Sequence, residues 1–130
     1  MKDFGVLLVH DDDEILLVIK RMISYFKIRI DFATSAPEAF DLLKTKEYRT
    51  MISDLDLSGM NGIELASKAQ KMFPDLNVIL FFGKTPEQII HLAIDPKVSD
   101  ISGEGLKPCA FNEMLQDIMN KEGGKVFLLE

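Results

Sequence analysis

Short apolar runs at residues 6–9, 50–53 and 78–82 alternate along the chain with stretches of helical spacing. Each run has the length of a strand and is largely apolar on both faces, as parallel strands covered by helices on both sides require. A fourth run, 28–32, alternates like a strand nearer an edge. A fifth, 101–106, is interrupted by Gly103 and Gly105. Between them, Ile15, Val18, Ile19, Met22 and Ile23 follow i, i+3, i+4, i+7, i+8, and Phe111, Met114, Leu115, Ile118 and Met119 repeat that spacing. Ala39, Phe40 and Leu43 mark a helix opened by Ser35 with Glu38 three residues later, a capping box. Ile63, Ala66, Ala69 and Phe73 mark the next, stopped by Pro74. Thr85 and Pro86 open a short one that ends at Asp95-Pro96. The order is β-α five times, which predicts an α/β fold: a five-stranded parallel sheet with right-handed crossovers and helices on both faces.

A chain of 130 residues suits one domain with one core. The division expected is 1–121 for the folded domain and 122–130, "EGGKVFLLE", for a C-terminal tail or linker stub. The tail's four apolar residues after two glycines suggest docking on the domain or on a second copy, which makes a homodimer one option. The formal net charge of −6 argues against direct nucleic-acid or anionic-membrane binding. The single cysteine, Cys109, excludes an internal disulfide and suits a reducing, cytoplasmic setting. No signal-peptide core follows "MKDFG", and no apolar run approaches the ~18–20 residues of a membrane helix.

In an open parallel sheet, ligands bind beyond the carboxyl ends of the strands. Residues 6–9 run into His10, Asp11 and Asp12; residues 50–53 run into Asp54 and Asp56; residues 78–82 are followed by Gly83 and Lys84; the fifth run is followed by Lys107 and Pro108. Carboxylates gathered on one rim repel each other and raise one another's pKa. A hard divalent cation removes that conflict, and a lysine supplies a point charge for a phosphate. An aspartate beside such a cation can accept a phosphoryl group. Each signal alone has a plainer reading: Asp13, for example, could simply cap the helix that follows.

The segments "VLLVHDDDEILLVI", "MISDLDLSGMNGIEL" and "GLKP" resemble the receiver domain of two-component response regulators, over roughly residues 4–121. The resemblance implies a flavodoxin-like (βα)5 fold with strand order 2-1-3-4-5. It implies Asp54 as phosphoacceptor and Mg2+ as cofactor, with Mn2+ as an alternative. The ligands would be Asp11, Asp54 and the backbone carbonyl of Asp56, with Asp12 or His10 as a further candidate. Lys107 would contact the phosphoryl group. A histidine kinase or histidine phosphotransfer protein would donate it, and an output domain or protein partner would read it. Such a domain is a signalling phosphoacceptor, limited as a catalyst to self-phosphorylation and self-dephosphorylation.

Three positions depart from the family pattern. His10 replaces the first of two acids, and imidazole suits Zn2+ or Mn2+ better than Mg2+. Phe82 stands where a Ser or Thr hydroxyl normally meets the phosphoryl group. Glu104 stands where an aromatic residue normally swings inward. Asp56 and Lys84 flank the expected phosphoryl position and could tune it. These departures keep a second reading open, a non-switching pseudo-receiver that acts as an interaction module. A third reading rests on "DLDLS", residues 54–58, which fits the short motif of haloacid-dehalogenase-like phosphatases, although here it follows the third strand rather than the first.

Overall fold

The computed structural model describes residues 5–23, 28–57, 60–81, 85, 87, 98–100 and 123–129. In chain order the elements are β1 (Gly5–Val9), α1 (Asp13–Ile23), β2 (Arg29–Ala33), α2 (Ala36–Thr45), β3 (Tyr48–Asp54), β4 (Asp56–Leu57), β5 (Met60–Asn61), α3 (Gly62–Met72), β6 (Asn77–Phe81), β7 (Val98–Asp100) and β8 (Val126–Leu129). The main sheet runs β2-β1-β3-β6-β8-β7. Its first five members are mutually parallel, and β7 pairs antiparallel with β8 at the edge. The expected five-stranded parallel α/β sheet is therefore present.

Strand residues alternate between two cores, which is why the runs are apolar on both faces. Val6, Leu8, Ile52, Ile79 and Phe127 pack with Ile15, Leu16, Ile19 and Ile23 of α1. Leu7, Val9, Met51, Val78 and Leu80 pack with α2 and α3 on the other side. Ser35 caps α2 by accepting the Glu38 N–H, as expected, while the Glu38 carboxylate turns to the Thr34 hydroxyl at 3.1 Å. Asn61 caps α3 by accepting the Ile63 N–H at 2.7 Å. The buried face of α3 is Leu65, Ala66 and Ala69. Ile63, expected to be part of it, lies exposed in the first turn. Met72 ends α3 just before Phe73-Pro74, because the residue preceding a proline is pushed out of helical geometry.

The fifth parallel position differs from expectation in its identity. It is filled by β8, from the C-terminal segment, while residues 101–106 lie outside the described residues, as does the helix expected at 111–119. Gly124 adopts φ +86°, and a Cβ on Gly123 would run into the Asp75 carbonyl oxygen, so two glycines let the chain pass against the Pro74-Asp75 turn. Beyond them Lys125 is held on three sides. Its carbonyl accepts from the Val78 N–H at 2.9 Å and from Gln70 Nε2 at 3.2 Å, and its N–H donates to Asn77 Oδ1 at 3.2 Å. Phe127 is fully buried. Among the described residues no helix is long and apolar enough to cross a membrane.

Candidate functional site

Sheet register assembles the site. Val9 of β1 lies beside Ser53 of β3, and Asp54 lies beside Phe81 of β6. One residue past the end of β1, the His10 N–H donates to the Ala33 carbonyl at 3.1 Å and continues the ladder with β2. His10, Asp54 and Phe81 thus form one row across the carboxyl ends of three neighbouring strands. The rings of His10 and Phe81 stack, with centroids 5.8 Å apart and planes 12° from parallel, although they come from the two strands that flank β3. Asp54, in the middle of the row, is 3% exposed.

The polar atoms converge. His10 Nε2 lies 3.3 Å from Asp54 Oδ2, and His10 Nδ1 lies 3.3 Å from Asp11 Oδ1. One donor atom from each of His10, Asp11 and Asp54 falls within 4.8 Å of the other two, a spacing that a single metal ion can bridge. The Asp12 N–H donates to His10 Nδ1 at 2.9 Å, so in the neutral ring the proton sits on Nε2, on the side of Asp54. Burial raises the Asp54 carboxyl above the ordinary aspartate range. The Asp56 N–H, which reaches Asp54 Oδ1 at 3.3 Å, and His10 act against that rise, while the charges of Asp11 and Asp56 add to it. A cation among these carboxylates would remove the conflict.

The loop after Asp54 is tightly built. The Leu55 N–H reaches the Phe81 carbonyl at 2.6 Å, the Gly62 N–H reaches the Leu55 carbonyl at 2.7 Å, and β4 and β5 close a short antiparallel ladder. A Cβ on Gly62 would stand 2.5 Å from the Asp54 carbonyl oxygen and 2.8 Å from Leu55 Cα. Glycine is required there because α3 begins against the backbone of the site.

Of the residues singled out from sequence, His10, Asp11 and Asp54 come together. Asp12 turns the other way. Its Oδ1 accepts the Glu14 N–H at 2.9 Å, so it caps α1 in the role considered for Asp13, which is instead the first helical residue. Asp56 contributes its N–H to Asp54 and exposes its side chain. Phe82, Lys84, Glu104, Lys107 and Cys109 lie outside the described residues. Sequence reading missed Phe81 as the stacking partner of His10; its parallel offset from Asp54 was the available signal. It also passed over Gly62, whose place directly after a capping Asn marks a close approach.

A profile of the response regulator receiver domain matches residues 6–119. A chemotaxis protein CheY homolog of Campylobacter jejuni is 28% identical over 91 residues, covering 68% of this chain and 70% of that one. Among solved structures, the signal receiver domain of an HD domain-containing protein from Pseudomonas fluorescens is 27% identical, with a TM-score of 0.60 over 72% of this chain and 68% of that chain. Response regulator protein TrrA from Thermotoga maritima, solved in complex with Mg2+ and BeF, superposes with a TM-score of 0.61 over 88% of this chain and 96% of its own. At 21% identity that likeness speaks to the fold alone.

Proposed function

The chain belongs to the response regulator receiver domain family, a signalling domain rather than a conventional enzyme, and on that premise we propose that Asp54 accepts a phosphoryl group in a phosphorelay. The observation that carries this reading is the convergence of Asp54 with Asp11 and His10 at the ends of β1 and β3. The donor would be a phosphohistidine on a kinase or phosphotransfer protein. An Asp54 oxygen attacks phosphorus, the donor's P–N bond breaks, and the released imidazole nitrogen takes up a proton, leaving an acyl phosphate on Asp54.

The residues present fit a divalent cation. Asp11 and Asp54 supply two carboxylates, the number that Mg2+ commonly takes from protein, with water and phosphate oxygens completing its shell. Asp56 would add its backbone carbonyl. When bound, Mg2+ neutralises charge on the transferring group. The chain's own residues do the rest. The Asp56 N–H orients the Asp54 carboxylate, Gly62 keeps the loop backbone close, and the stacked rings of His10 and Phe81 shield the carboxylate from water. Lys107 would meet the phosphoryl oxygens. An output domain or protein partner would read the change.

Incubation with acetyl phosphate and Mg2+, followed by mass spectrometry, tests this. The parent should gain one phosphoryl group on Asp54, and Asp54→Asn should gain none; equal labelling of both would defeat the assignment. The deep burial of Asp54 favours a second reading, an interaction module without regulated phosphorylation. Absence of labelling in a folded, cation-binding parent would select it.

A further inference from the structure

We propose that His10 is a direct metal ligand through Nε2, and that with Asp54 as its fellow ligand and Asp11 behind the ring it makes this rim a site for borderline divalent transition-metal ions in preference to Mg2+. This rests on the reading of the same rim as a divalent-cation site and specifies which class of ion it takes. His10 is 5% exposed, and its Nε2 is a buried polar atom that makes no hydrogen bond, even though Asp54 Oδ2 is 3.3 Å away. Two adjacent ligands, each about 2.0–2.1 Å from one ion, stand about 2.9–3.4 Å apart, so the Nε2–Oδ2 gap is one that a single ion can span. The stacking on Phe81 fixes the plane of the ring, so the donor is pre-oriented.

The donor chemistry decides the class of ion. Mg2+ takes oxygen and keeps its waters, and an imidazole nitrogen adds little for it. Imidazole beside carboxylates suits Zn2+, Co2+ and similar ions, whose affinities rise along the first-row series. Binding at Nε2 requires the tautomer with its proton on Nδ1. Asp11 Oδ1, 3.3 Å from Nδ1, is placed to accept that proton, in place of the bond Nδ1 now takes from the Asp12 N–H. A ligating imidazole held by a carboxylate on its other nitrogen is a recurring arrangement at metal sites. The tautomer change moves one proton from Nε2 to Nδ1, and none is gained or lost.

The chain has two histidines, His10 and His91, so His91→Gln leaves one imidazole to observe. Long-range 1H–15N correlation spectra of that full-length variant, stripped with chelator, are to be recorded with Zn2+ and separately with saturating Mg2+. Zn2+ should shift Nε2 to the metal-bound range and leave Nδ1 protonated; Mg2+ should do neither. Calorimetric titration should also show that His10→Asp lowers the ratio of Zn2+ to Mg2+ affinity by roughly tenfold or more. Zn2+ binding with both His10 nitrogens unmoved, or an unchanged ratio in His10→Asp, overturns the proposal. If Mg2+ still binds in that event, and its binding is lost in Asp54→Asn, the cation-site reading stands without it. Failure of both ions to bind removes the two together.

Discussion

His10 Nε2 stands 3.3 Å from Asp54 Oδ2, and neither group is open to water. The pairing follows from parallel register: Val9 of β1 lies beside Ser53 of β3, so the residues that follow, His10 and Asp54, come level with each other. An imidazole thus meets the carboxylate where the receiver pattern has a second acid. The consequence for Asp54 is a site with less negative charge and more apolar cover.

That cover makes a pH prediction. The folded state holds the Asp54 proton to higher pH than the unfolded chain does, chiefly because of burial. The sign follows from linkage: where the native state binds more protons, stability falls as pH rises. In chelator, the contribution of Asp54 is therefore most favourable below the unfolded aspartate range and is lost as pH rises through the raised folded value. Asp54→Asn keeps an oxygen for the Asp56 N–H and removes the buried charge. It should melt above the parent at pH 7, and the difference should shrink as pH falls through the raised folded value and be gone below about pH 4. A variant less stable than the parent at pH 7 would show that the buried carboxylate is stabilising. A divalent cation should reverse the order, since a ligand at 100 times its Kd adds about 2.7 kcal/mol to the parent alone.

Gly62→Ala should disturb the site from behind. Its methyl group would meet the Asp54 carbonyl oxygen at 2.5 Å, which is backbone and cannot rotate away. The expected cost is about 1–3 kcal/mol, as for overpacking elsewhere. Cation affinity should fall as well, because the displaced atoms belong to Asp54 and Leu55. Denaturant melts and cation titrations on the same sample check both, and an unchanged affinity would separate the α3 start from the site.

Phe81→Leu should loosen the imidazole while keeping the core largely filled. A loss of about 1 kcal/mol is expected from the removed ring atoms and the lost stacking. The clearer readout is motion: the His10 ring resonances should broaden or average relative to the parent. Sharp, unshifted His10 signals would mean that the Asp12 N–H alone fixes the ring.

Much of this was legible because parallel strands buried on two faces write themselves as solid apolar runs. Residues 50–53 and 28–32 fall inside or within one residue of β3 and β2, and the acids after them mark the rim. What the sequence left open depended on contacts distant along the chain. Ile63 matches a helical spacing but faces water, because the register of α3 is set by Gly62 packing on Asp54, not by its own periodicity. His10 reads as a gap in an acidic pair until Phe81, 71 positions later, gives its ring a surface. The role of residues 126–129 hinges on which strand edge is free, and short apolar runs carry no such address.

The segment 123–129 therefore carries the last prediction. β8 pairs in parallel with β6 over Val78↔Val126 to Phe81↔Leu129, and its Phe127 is fully buried in the α1-side core. Phe127→Ala should cost about 3–5 kcal/mol, since the ring leaves a cavity among side chains that cannot all close in. Removing 125–130 should cost at least as much, because it also strips the Val78 N–H and Gln70 amide of the Lys125 carbonyl they share. β8 meets β6 at Phe81, beside Asp54, so the truncation should reach the site as well. Cation affinity and Asp54 labelling should both drop in any truncated chain that remains folded. Circular dichroism melts measure the first effect and titration of the folded fraction measures the second. If truncation leaves the melting temperature unchanged, β8 contributes nothing to the sheet. If stability falls while cation affinity holds, the tail supports the fold without reaching the rim.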